Sequence, residues 1–400
     1  GSSLINVSDK VPGAHSPFWS SSDDLYLINK GQVYKYSFET NEPVQVTDFY
    51  AGVSDPILSN DGRYIAFTAE LFPECGTDND CNKRLDESSS NGPVQAYIAD
   101  ELLFRHWTDY KGEKESYLVL FDTKEKKYQT ITSSDVLAGA YMLGGGPKFA
   151  FSPDSRVLAY VSSPEKNIAN STNTDIYLMP IGGKEAVNIT LANDAWDGSP
   201  VFSPDGNYIA YKTHSIPGFE ADRFRIAVYN THTLQAEVLS ESFDYTTDNL
   251  SWSSDSKSIY FLADNRGYSP VYKIDVQSKN ITKVTDDKSV RGYQINKDEK
   301  NLYLTFTSVD KLPEIYSYDV NASIYSQITF FNKKLMDEVD IRPAEQMWVD
   351  GADGVPVHVF VVKPHGFEEY KKYPLVINVH GGPQMQWMDS FRGDWQVYPG

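Results

Sequence analysis

The residues best suited to chemistry stand near the end of the 400-residue sequence, in the run His380-Gly381-Gly382-Pro383. This run follows residues 373–379, a continuous apolar stretch typical of a strand buried on both faces of a sheet. Paired glycines let a backbone approach a substrate oxygen without a Cβ in the way. The pattern therefore predicts a loop whose N–H groups bind an oxyanion, while an ordinary Gly-Gly-Pro turn is the alternative.

The two cysteines, Cys75 and Cys81, lie six residues apart in a polar loop, a spacing that a disulfide can close. Two free thiols are the alternative, and a zinc site is disfavoured because further Cys or His ligands are not nearby. Six Asn-x-Ser/Thr sequons accompany the pair, beginning at Asn6, Asn170, Asn188, Asn249, Asn280 and Asn321. A disulfide together with these sequons indicates an exported protein, secreted or periplasmic.

The elements that must position these residues follow from an internal repeat. Six times an apolar run leads into Ser-x-Asp-Gly or a relative and then into another apolar run. The acidic turn residues are Asp23, Asp61, Asp154, Asp205, Asp255 and Asp298. Asp bonds its own backbone, Gly adopts a left-handed conformation, and the flanking β-branched and aromatic residues favour strands. Two more short apolar segments follow each hairpin, so each repeat predicts a four-stranded propeller blade.

The spacing of the repeats predicts the domain organisation. Most gaps suit one blade, but the second is too long, which predicts an insertion in the second blade at about residues 70–115. Inside it, residues 94–110 approach a 3.6-residue period and predict a short helix. We expect a propeller over residues 1–338, with six visible blades and a seventh left open. The beginning of an α/β-hydrolase domain is expected over residues 339–400.

Charge and hydropathy exclude some classes of partner. The formal net charge of −19 disfavours binding to nucleic acid or to an anionic membrane surface. No apolar run approaches the roughly 18 residues that a membrane-spanning helix needs, so no membrane insertion is expected.

The acidic-turn repeats, the hairpin containing Trp348 and the run from Tyr373 to Pro383 together resemble the prolyl oligopeptidase family of serine peptidases. Within the insertion, one stretch is similar to a segment of the dipeptidyl-peptidase V branch of that family. The stretch is Leu103-Phe104-Arg105-His106-Trp107, and Thr108 stands after it where Asp is usual.

The resemblance implies a serine peptidase in which peptides react in a cavity between propeller and hydrolase domain, by acyl transfer from a Ser-His-Asp triad. The triad is expected beyond Gly400, because no Gly-x-Ser-x-Gly follows Pro383. By its place in the motif, Gly382 is expected to donate a backbone N–H to the oxyanion, with Gly381 and His380 shaping the loop. His380 is not expected to be the general base.

For a dipeptidyl-peptidase, the resemblance also implies an anchor for the ammonium group of the substrate. A carboxylate could supply it by a charge-assisted hydrogen bond. Asp100 and Glu101 stand on the predicted helix beside Arg105 and Trp107, and we expect these four residues to contact substrate. A solvated helix face, with Trp107 packed on the propeller, is the alternative.

Two other functions stay open at the level of sequence. One is acylaminoacyl peptidase or oligopeptidase activity within the same family. The other is a non-enzymatic binding propeller, because the Ser-Pro-Asp-Gly hairpins also resemble TolB-type repeats. The expected partners are peptide substrates, with no cofactor and no metal, on a monomer or homodimer.

Overall fold

The computed structural model describes residues 5–93, 96, 98–100, 102, 104–106, 108–110, 112–132, 148–165, 168–382 and 385–400. Six four-stranded sheets follow one another along the chain, and the fold is a six-bladed β-propeller, as the repeats predicted. Two further pairs of strands form separate hairpins.

The elements up to residue 188 form the first three blades and the insertion of the second blade. In chain order they are a 3-10 turn (Val7–Asp9), β1 (His15–Trp19), β2 (Leu25–Asn29), β3 (Gln32–Ser37), β4 (Glu42–Gln45), β5 (Ser54–Leu58), β6 (Tyr64–Leu71), α1 (Asn79–Asn91), β7 (Arg105–His106), β8 (Asp109–Tyr110), β9 (Glu115–Asp122), β10 (Lys127–Thr130), β11 (Phe149–Phe151), β12 (Val157–Ser162), a 3-10 turn (Ile168–Asn170), β13 (Asp175–Pro180) and β14 (Val187–Asn188).

The remaining elements form three more blades and the C-terminal segment. They are β15 (Asp197–Phe202), β16 (Tyr208–Thr213), β17 (Arg225–Asn230), β18 (Gln235–Val238), β19 (Thr247–Trp252), β20 (Ser258–Ala263), β21 (Val271–Asp275), β22 (Ile281–Lys283), β23 (Ser289–Ile295), β24 (Asn301–Ser308), β25 (Lys311–Asp319), β26 (Ile324–Gln327), α2 (Lys333–Glu338), β27 (Ala344–Asp350), a 3-10 turn (Ala352–Gly354), β28 (Pro356–Val362) and α3 (Asp394–Val397).

The acidic turns close the first hairpin of four blades with the same hydrogen bonds. A buried Ser Oγ donates to the Asp carboxylate two residues later at 2.6–2.7 Å, and it accepts the backbone N–H five residues later at 2.9 Å. The pairs are Ser59 with Asp61, Ser152 with Asp154, Ser203 with Asp205, and Ser253 with Asp255. The side chains thus satisfy backbone groups that a tight turn leaves unpaired.

A second repeated bond, which the sequence did not reveal, closes the outer part of every blade. A buried hydroxyl after the fourth strand accepts the N–H of a residue fourteen positions earlier, in the third strand, at 2.8–3.0 Å. The pairs are Val33 with Thr47, Leu118 with Thr132, Ile176 with Thr190, Ile226 with Ser240, Val271 with Thr285, and Ile315 with Thr329. Each blade therefore has one such hydrogen bond, and we call the six bonds, made by these six hydroxyl groups, the six locks.

The chain forms two compact units, Gly1–Asp222 with Val228–Glu237, and Arg223–Ala227 with Val238–Gly400. In the first unit, Val33, Phe67 and Phe121 belong to one apolar core. In the second, Tyr260, Leu302 and neighbouring residues form another. Burial of each such side chain contributes about 1.5–3 kcal/mol, which is why strands with continuous apolar runs pack inward. All six residues of β20 are buried for this reason.

The insertion of the second blade occupies residues 72–114, between β6 and β9. These two strands pair antiparallel over eight residue pairs, from Tyr64 opposite Asp122 to Leu71 opposite Glu115. The helix predicted over residues 94–110 is wrong, because β7 and β8 pair as a short hairpin there. Arg105 pairs with Tyr110, and His106 with Asp109, in an antiparallel arrangement that a helix cannot make.

The helix that the described residues of the insertion form is α1, and it has almost no apolar residues from which a 3.6-residue period could be recognised. Asp78 caps it, since its carboxylate accepts the N–H of Cys81 at 2.9 Å. The predicted Cys75–Cys81 disulfide is formed. The buried Asn82 holds the same turn by donating to the carbonyl oxygen atoms of Gly76 and Asp78.

Near the C-terminus, β27 and β28 form a hairpin of seven residue pairs, from Ala344 opposite Val362 to Asp350 opposite Pro356. None of the helices in the described part of the chain has the length and apolar character needed to cross a membrane. The predicted division at residues 338 and 339 stays a prediction.

Candidate active site

The glycine loop, residues 380–382, follows a stretch that is extended and exposed. Residues 373–379 form no strand, and the side chains of Leu375, Ile377 and Val379 are at least 76% exposed. The predicted buried strand is therefore wrong in this structure. A strand buried in a sheet needs hydrogen-bonded neighbours, and the described residues supply none to this stretch.

Within the glycine loop, Gly382 has a backbone conformation that favours glycine. Its φ is +138°, in the region that residues with a Cβ rarely adopt. His380 donates its Nδ1–H to the carbonyl oxygen of Gly381 at 2.9 Å. The His380 ring also meets Trp387 edge to face, with 6.0 Å between ring centroids. Pro383 lies outside the described residues.

The segment after the loop is fastened to the fifth blade. The side chain of Gln386 accepts the N–H of Gly267 at 2.8 Å and donates to the carbonyl oxygen of Tyr268 at 2.9 Å. Asp389 donates its own N–H to the carbonyl oxygen of Gly267 at 2.8 Å. The Asp389 carboxylate accepts the N–H of Val309 at 2.9 Å, which adds a contact to the sixth blade.

The partner of Gln386 is a tight turn, residues 265–268, between β20 and β21; we call it the fifth-blade turn. Its central residues have positive φ, +50° at Arg266 and +83° at Gly267, as a two-residue hairpin turn requires. A Cβ on Gly267 would lie 2.5 Å from the Phe360 ring, so only glycine fits. The turn is therefore enclosed between Gln386 and the hairpin of β27 and β28.

The hairpin contacts the same turn through polar groups. His358 Nε2 lies 2.9 Å from Gln346 Oε1, and Gln346 donates in turn to the hydroxyl of Tyr268. The His358 ring stacks on Trp348 at 4.7 Å between centroids. Burial lowers the pKa of His358 and so favours the neutral imidazole. Nε2 is the donor in this bond, because the amide oxygen of Gln346 can only accept.

Farther along, an arginine is clamped between tryptophan rings. The Arg392 guanidinium lies 4.1 Å from the Trp387 ring centroid and 5.6 Å from that of Trp395. Asp394 binds it in a bidentate manner at 2.7 and 3.0 Å. These contacts restrict the orientation of Trp387, which is the residue that contacts His380.

The predicted ammonium anchor is only partly described. Asp100 is exposed and lies outside any helix or strand, and Arg105, in β7, places its guanidinium 5.8 Å from the centroid of the Phe104 ring. Glu101 and Trp107 lie outside the described residues. The described residues between 96 and 110 form no helix that could present these side chains, so their grouping stays a prediction.

Sequence reasoning missed Gln386 and Gly267 as partners. Asn265, Arg266 and Gly267 carry a turn signal, but nothing in the sequence joins that turn to a glutamine 119 residues away. In the described part of the chain, no group of three or more His, Cys, Asp or Glu residues could hold a metal ion.

No protein-family model matches the chain. Among curated proteins, it is 26% identical over 398 residues to the dipeptidyl-peptidase 5 of Porphyromonas gingivalis, covering 96% of this chain and 56% of that protein. The protein of the same name from Schizosaccharomyces pombe is 25% identical over 331 residues, covering 78% of this chain and 47% of that protein. This chain is similar to dipeptidyl-peptidase 5. It spans about half the length of the dipeptidyl-peptidase 5 relatives that it matches.

Solved structures show the likeness of fold. The acylaminoacyl peptidase of Pyrococcus horikoshii matches with a TM-score of 0.74 at 13% identity, over 96% of this chain and 56% of that one. The β-propeller domain of the Trilobed protease from Pyrococcus furiosus matches with a TM-score of 0.52 at 11% identity, covering 80% and 84%. Both likenesses agree with a propeller fold. The likeness to dipeptidyl-peptidase 5 does not favour a TolB-like binding propeller.

Proposed function

We propose that this chain supplies the propeller and the oxyanion loop of a serine dipeptidyl-peptidase of the prolyl oligopeptidase family. The observation that carries the proposal is the likeness to the dipeptidyl-peptidase 5 of Porphyromonas gingivalis, which extends over 96% of the chain. The enzyme releases dipeptides from the free N-terminus of oligopeptides. A Ser-His-Asp triad, in residues after Gly400, performs the acyl transfer in a cavity between propeller and hydrolase domain.

The proposed chemistry gives the glycine loop one task. When the serine attacks the peptide carbonyl, the oxygen becomes an anion, and the N–H of Gly382 donates to it. The positive φ of Gly382 supports this assignment, because it is a backbone conformation that residues with a Cβ rarely adopt. Gly381 and His380 hold the loop in shape. Removing one oxyanion donor typically lowers kcat by roughly 100- to 1000-fold.

The ammonium group of the substrate is proposed to bind Asp100 and Glu101, with Arg105 and Trp107 beside them. What supports this is the position of all four in the insertion and the exposure of the described Asp100. A carboxylate that pairs with an ammonium group explains a preference for free N-termini, because a blocked amine carries no charge.

We also propose that the protein acts outside the cytosol, in the periplasm or as a secreted protein. The disulfide between Cys75 and Cys81 supports this, because such bonds persist in oxidising compartments.

The test uses the full reading frame, including the residues after Gly400, and one peptide in free and N-acetylated forms. We expect mass spectrometry to show stepwise loss of dipeptides from the free peptide only. Cleavage of the acetylated peptide would instead establish an acylaminoacyl peptidase or an oligopeptidase. Failure to cleave either peptide would contradict the proposed peptidase activity.

The same assay tests the ammonium anchor. The double variant D100N/E101Q should raise KM for the free peptide about tenfold or more, since a charge-assisted bond contributes roughly 1.5–3 kcal/mol. The matched control is Glu113→Gln, which removes one exposed carboxylate of the same insertion. An unchanged KM in the double variant, or an equal rise in the control, would exclude these two residues as the anchor.

A further inference from the structure

The described hydrogen bonds that fasten residues 386–396 to the propeller follow the glycine loop in sequence, and Gln386 makes the first of them. Before the loop, residues 374–379 are exposed and residues 373–379 form no strand. After it, Gln386 binds both Gly267 and Tyr268 of the fifth-blade turn. Gln386 is four residues from Gly382, so its Cα lies within roughly 14 Å of the proposed oxyanion donor. Fixing Gln386 therefore restricts where Gly382 can be.

The fifth-blade turn is suited to be a fixed point. Its ends exchange two backbone hydrogen bonds, between Asn265 and Tyr268, at 2.8 and 3.0 Å. Gly267 is buried, and the Phe360 ring fills the space where its side chain would be. Asp389 donates its N–H to the carbonyl oxygen of Gly267. Together with the two bonds to Gln386, three backbone groups of the turn therefore bind residues 386–389.

The loop and its anchor also touch directly. The His380 ring meets Trp387, the residue next to Gln386. Trp387 is itself held by the Arg392 guanidinium, which Asp394 orients. Because Gln386 and Trp387 are adjacent, the contact between Trp387 and His380 joins the glycine loop to the segment that Gln386 fastens to the turn.

We propose that Gln386 is a positioning residue for the oxyanion loop, and that the fifth-blade turn is the fixed point to which it fastens that loop. The inference rests on the proposed function. It adds that a propeller turn, which does not touch the reacting atoms, sets the rate of the chemical step. A misplacement of about 1 Å in such a site can cost roughly 100-fold in rate.

The test compares two glutamine variants in the full reading frame. Gln386→Leu removes both bonds to the turn at nearly constant volume. Gln396→Leu is the matched control, because Gln396 lies in the same segment and also binds backbone groups, at Arg342 and Val309, but lies farther from the loop. Melting temperatures establish that both variants fold.

We expect Gln386→Leu to lower kcat about 10- to 100-fold, with KM within about threefold of wild type, because only the transition state is affected. Its affinity for a peptidyl boronic acid, which mimics the tetrahedral intermediate, should fall by a similar factor. Gln396→Leu should leave both quantities within about threefold. A kcat near wild type for Gln386→Leu, or an equal loss for Gln396→Leu, would overturn the proposal.

A second pair of variants changes the propeller side of the contact between Gln386 and the fifth-blade turn. Gly267→Ala forces a Cβ against Phe360, whereas Gly62→Ala introduces the same positive-φ strain at +71° with nothing within 4 Å. Only Gly267→Ala should reproduce the loss of kcat. If Gln386→Leu fails to fold, this pair decides the matter, and equal kcat values for the two alanine variants would refute the coupling.

Hydrogen exchange of the 400-residue chain separates this inference from the proposed function. Amides of residues 380–389 should exchange faster in Gln386→Leu than in wild type or Gln396→Leu. If wild type lacks peptidase activity, the proposed function fails, while faster exchange still supports the anchor. Unchanged exchange in Gln386→Leu would overturn the anchor whatever the activity.

Discussion

Asp197, at the start of β15, has a carboxyl group that is buried in the folded protein. It is 1% exposed, and Asn193 Nδ2 lies 3.1 Å from each of its oxygen atoms. Burial raises the pKa of Asp197 to about 7, although hydrogen bonds from Thr213 and Asn193 oppose the shift. The folded protein therefore binds a proton here over a pH range in which the unfolded chain has released it.

The raised pKa predicts the sign of a pH effect. Between the ordinary value of about 3.9 and a pH of about 7, the folded state binds more protons than the unfolded state, so the free energy of unfolding falls as pH rises. Asp197→Asn removes this slope. From pH 4.5 to 8, chemical denaturation should show wild type losing up to about 3 kcal/mol relative to the variant.

Asp154 provides the control for this experiment. The hydroxyl of Ser152 lowers the pKa of Asp154, and that carboxylate is exposed. A lowered pKa contributes stability that is lost only as pH falls below about 4, so both states are ionised from pH 4.5 to 8. Asp154→Asn should therefore leave the slope unchanged. A slope in wild type that Asp197→Asn does not alter would show that another group titrates.

At this scale the sequence was informative about turns and uninformative about burial. Ser203 and Asp205 stand in a motif whose hydrogen bonds follow from local geometry, and the structure has them. Asp197 also stands before a glycine, Gly198, but its side chain is buried. Which side of a strand end faces the interior depends on neighbouring strands, and one sequence does not contain that information.

Among the elements, the six locks make a testable contribution to stability. Thr285 is 2% exposed and accepts the N–H of the fully buried Val271 at 2.9 Å. Thr285→Val keeps the shape but leaves that N–H without its partner, which should cost about 1–3 kcal/mol in urea denaturation. Thr282→Val, on the exposed side of the neighbouring β22, is the control and should stay within about 0.5 kcal/mol. Equal effects would mean that the hydroxyl contributes nothing.

Elements were predictable where they interact mainly with themselves. The hairpins of the blades follow from turn chemistry and alternating apolar residues, and they were predicted correctly. The helix over residues 94–110 was wrong because an approximate 3.6-residue period is a weak signal over so short a segment, and residues 105–110 contain the β7–β8 hairpin instead. The strand over residues 373–379 was wrong because an apolar run becomes a buried strand only when neighbouring strands flank it.

At the scale of the whole molecule, the disulfide between Cys75 and Cys81 is the main support for the proposal that the protein acts outside the cytosol. The two cysteines are bonded to each other, so unreduced, denatured protein from its natural source should take up no alkylating reagent. After reduction it should take up two equivalents, and mass spectrometry distinguishes the two results. Two alkylations without reduction would remove the main support for export. The bond closes a short ring and stabilises by roughly 2 kcal/mol, so it holds the start of the insertion rather than the fold.

The six-bladed architecture could be derived from the sequence because each blade repeats one pattern. The fastening of residues 386–389 to blades five and six could not, because those bonds join segments more than 75 residues apart through single side chains. The predicted hydrolase domain stays a prediction, together with the triad expected after Gly400.

The way the insertion enters the second blade has an evolutionary consequence. Leu71 and Glu115 already face each other as the last pair of an uninterrupted ladder. The host blade would keep every one of those pairs if a two-residue hairpin connected the strands instead. Descendants of a common ancestor could therefore lengthen, shorten or exchange this segment without rebuilding the sheet that carries it.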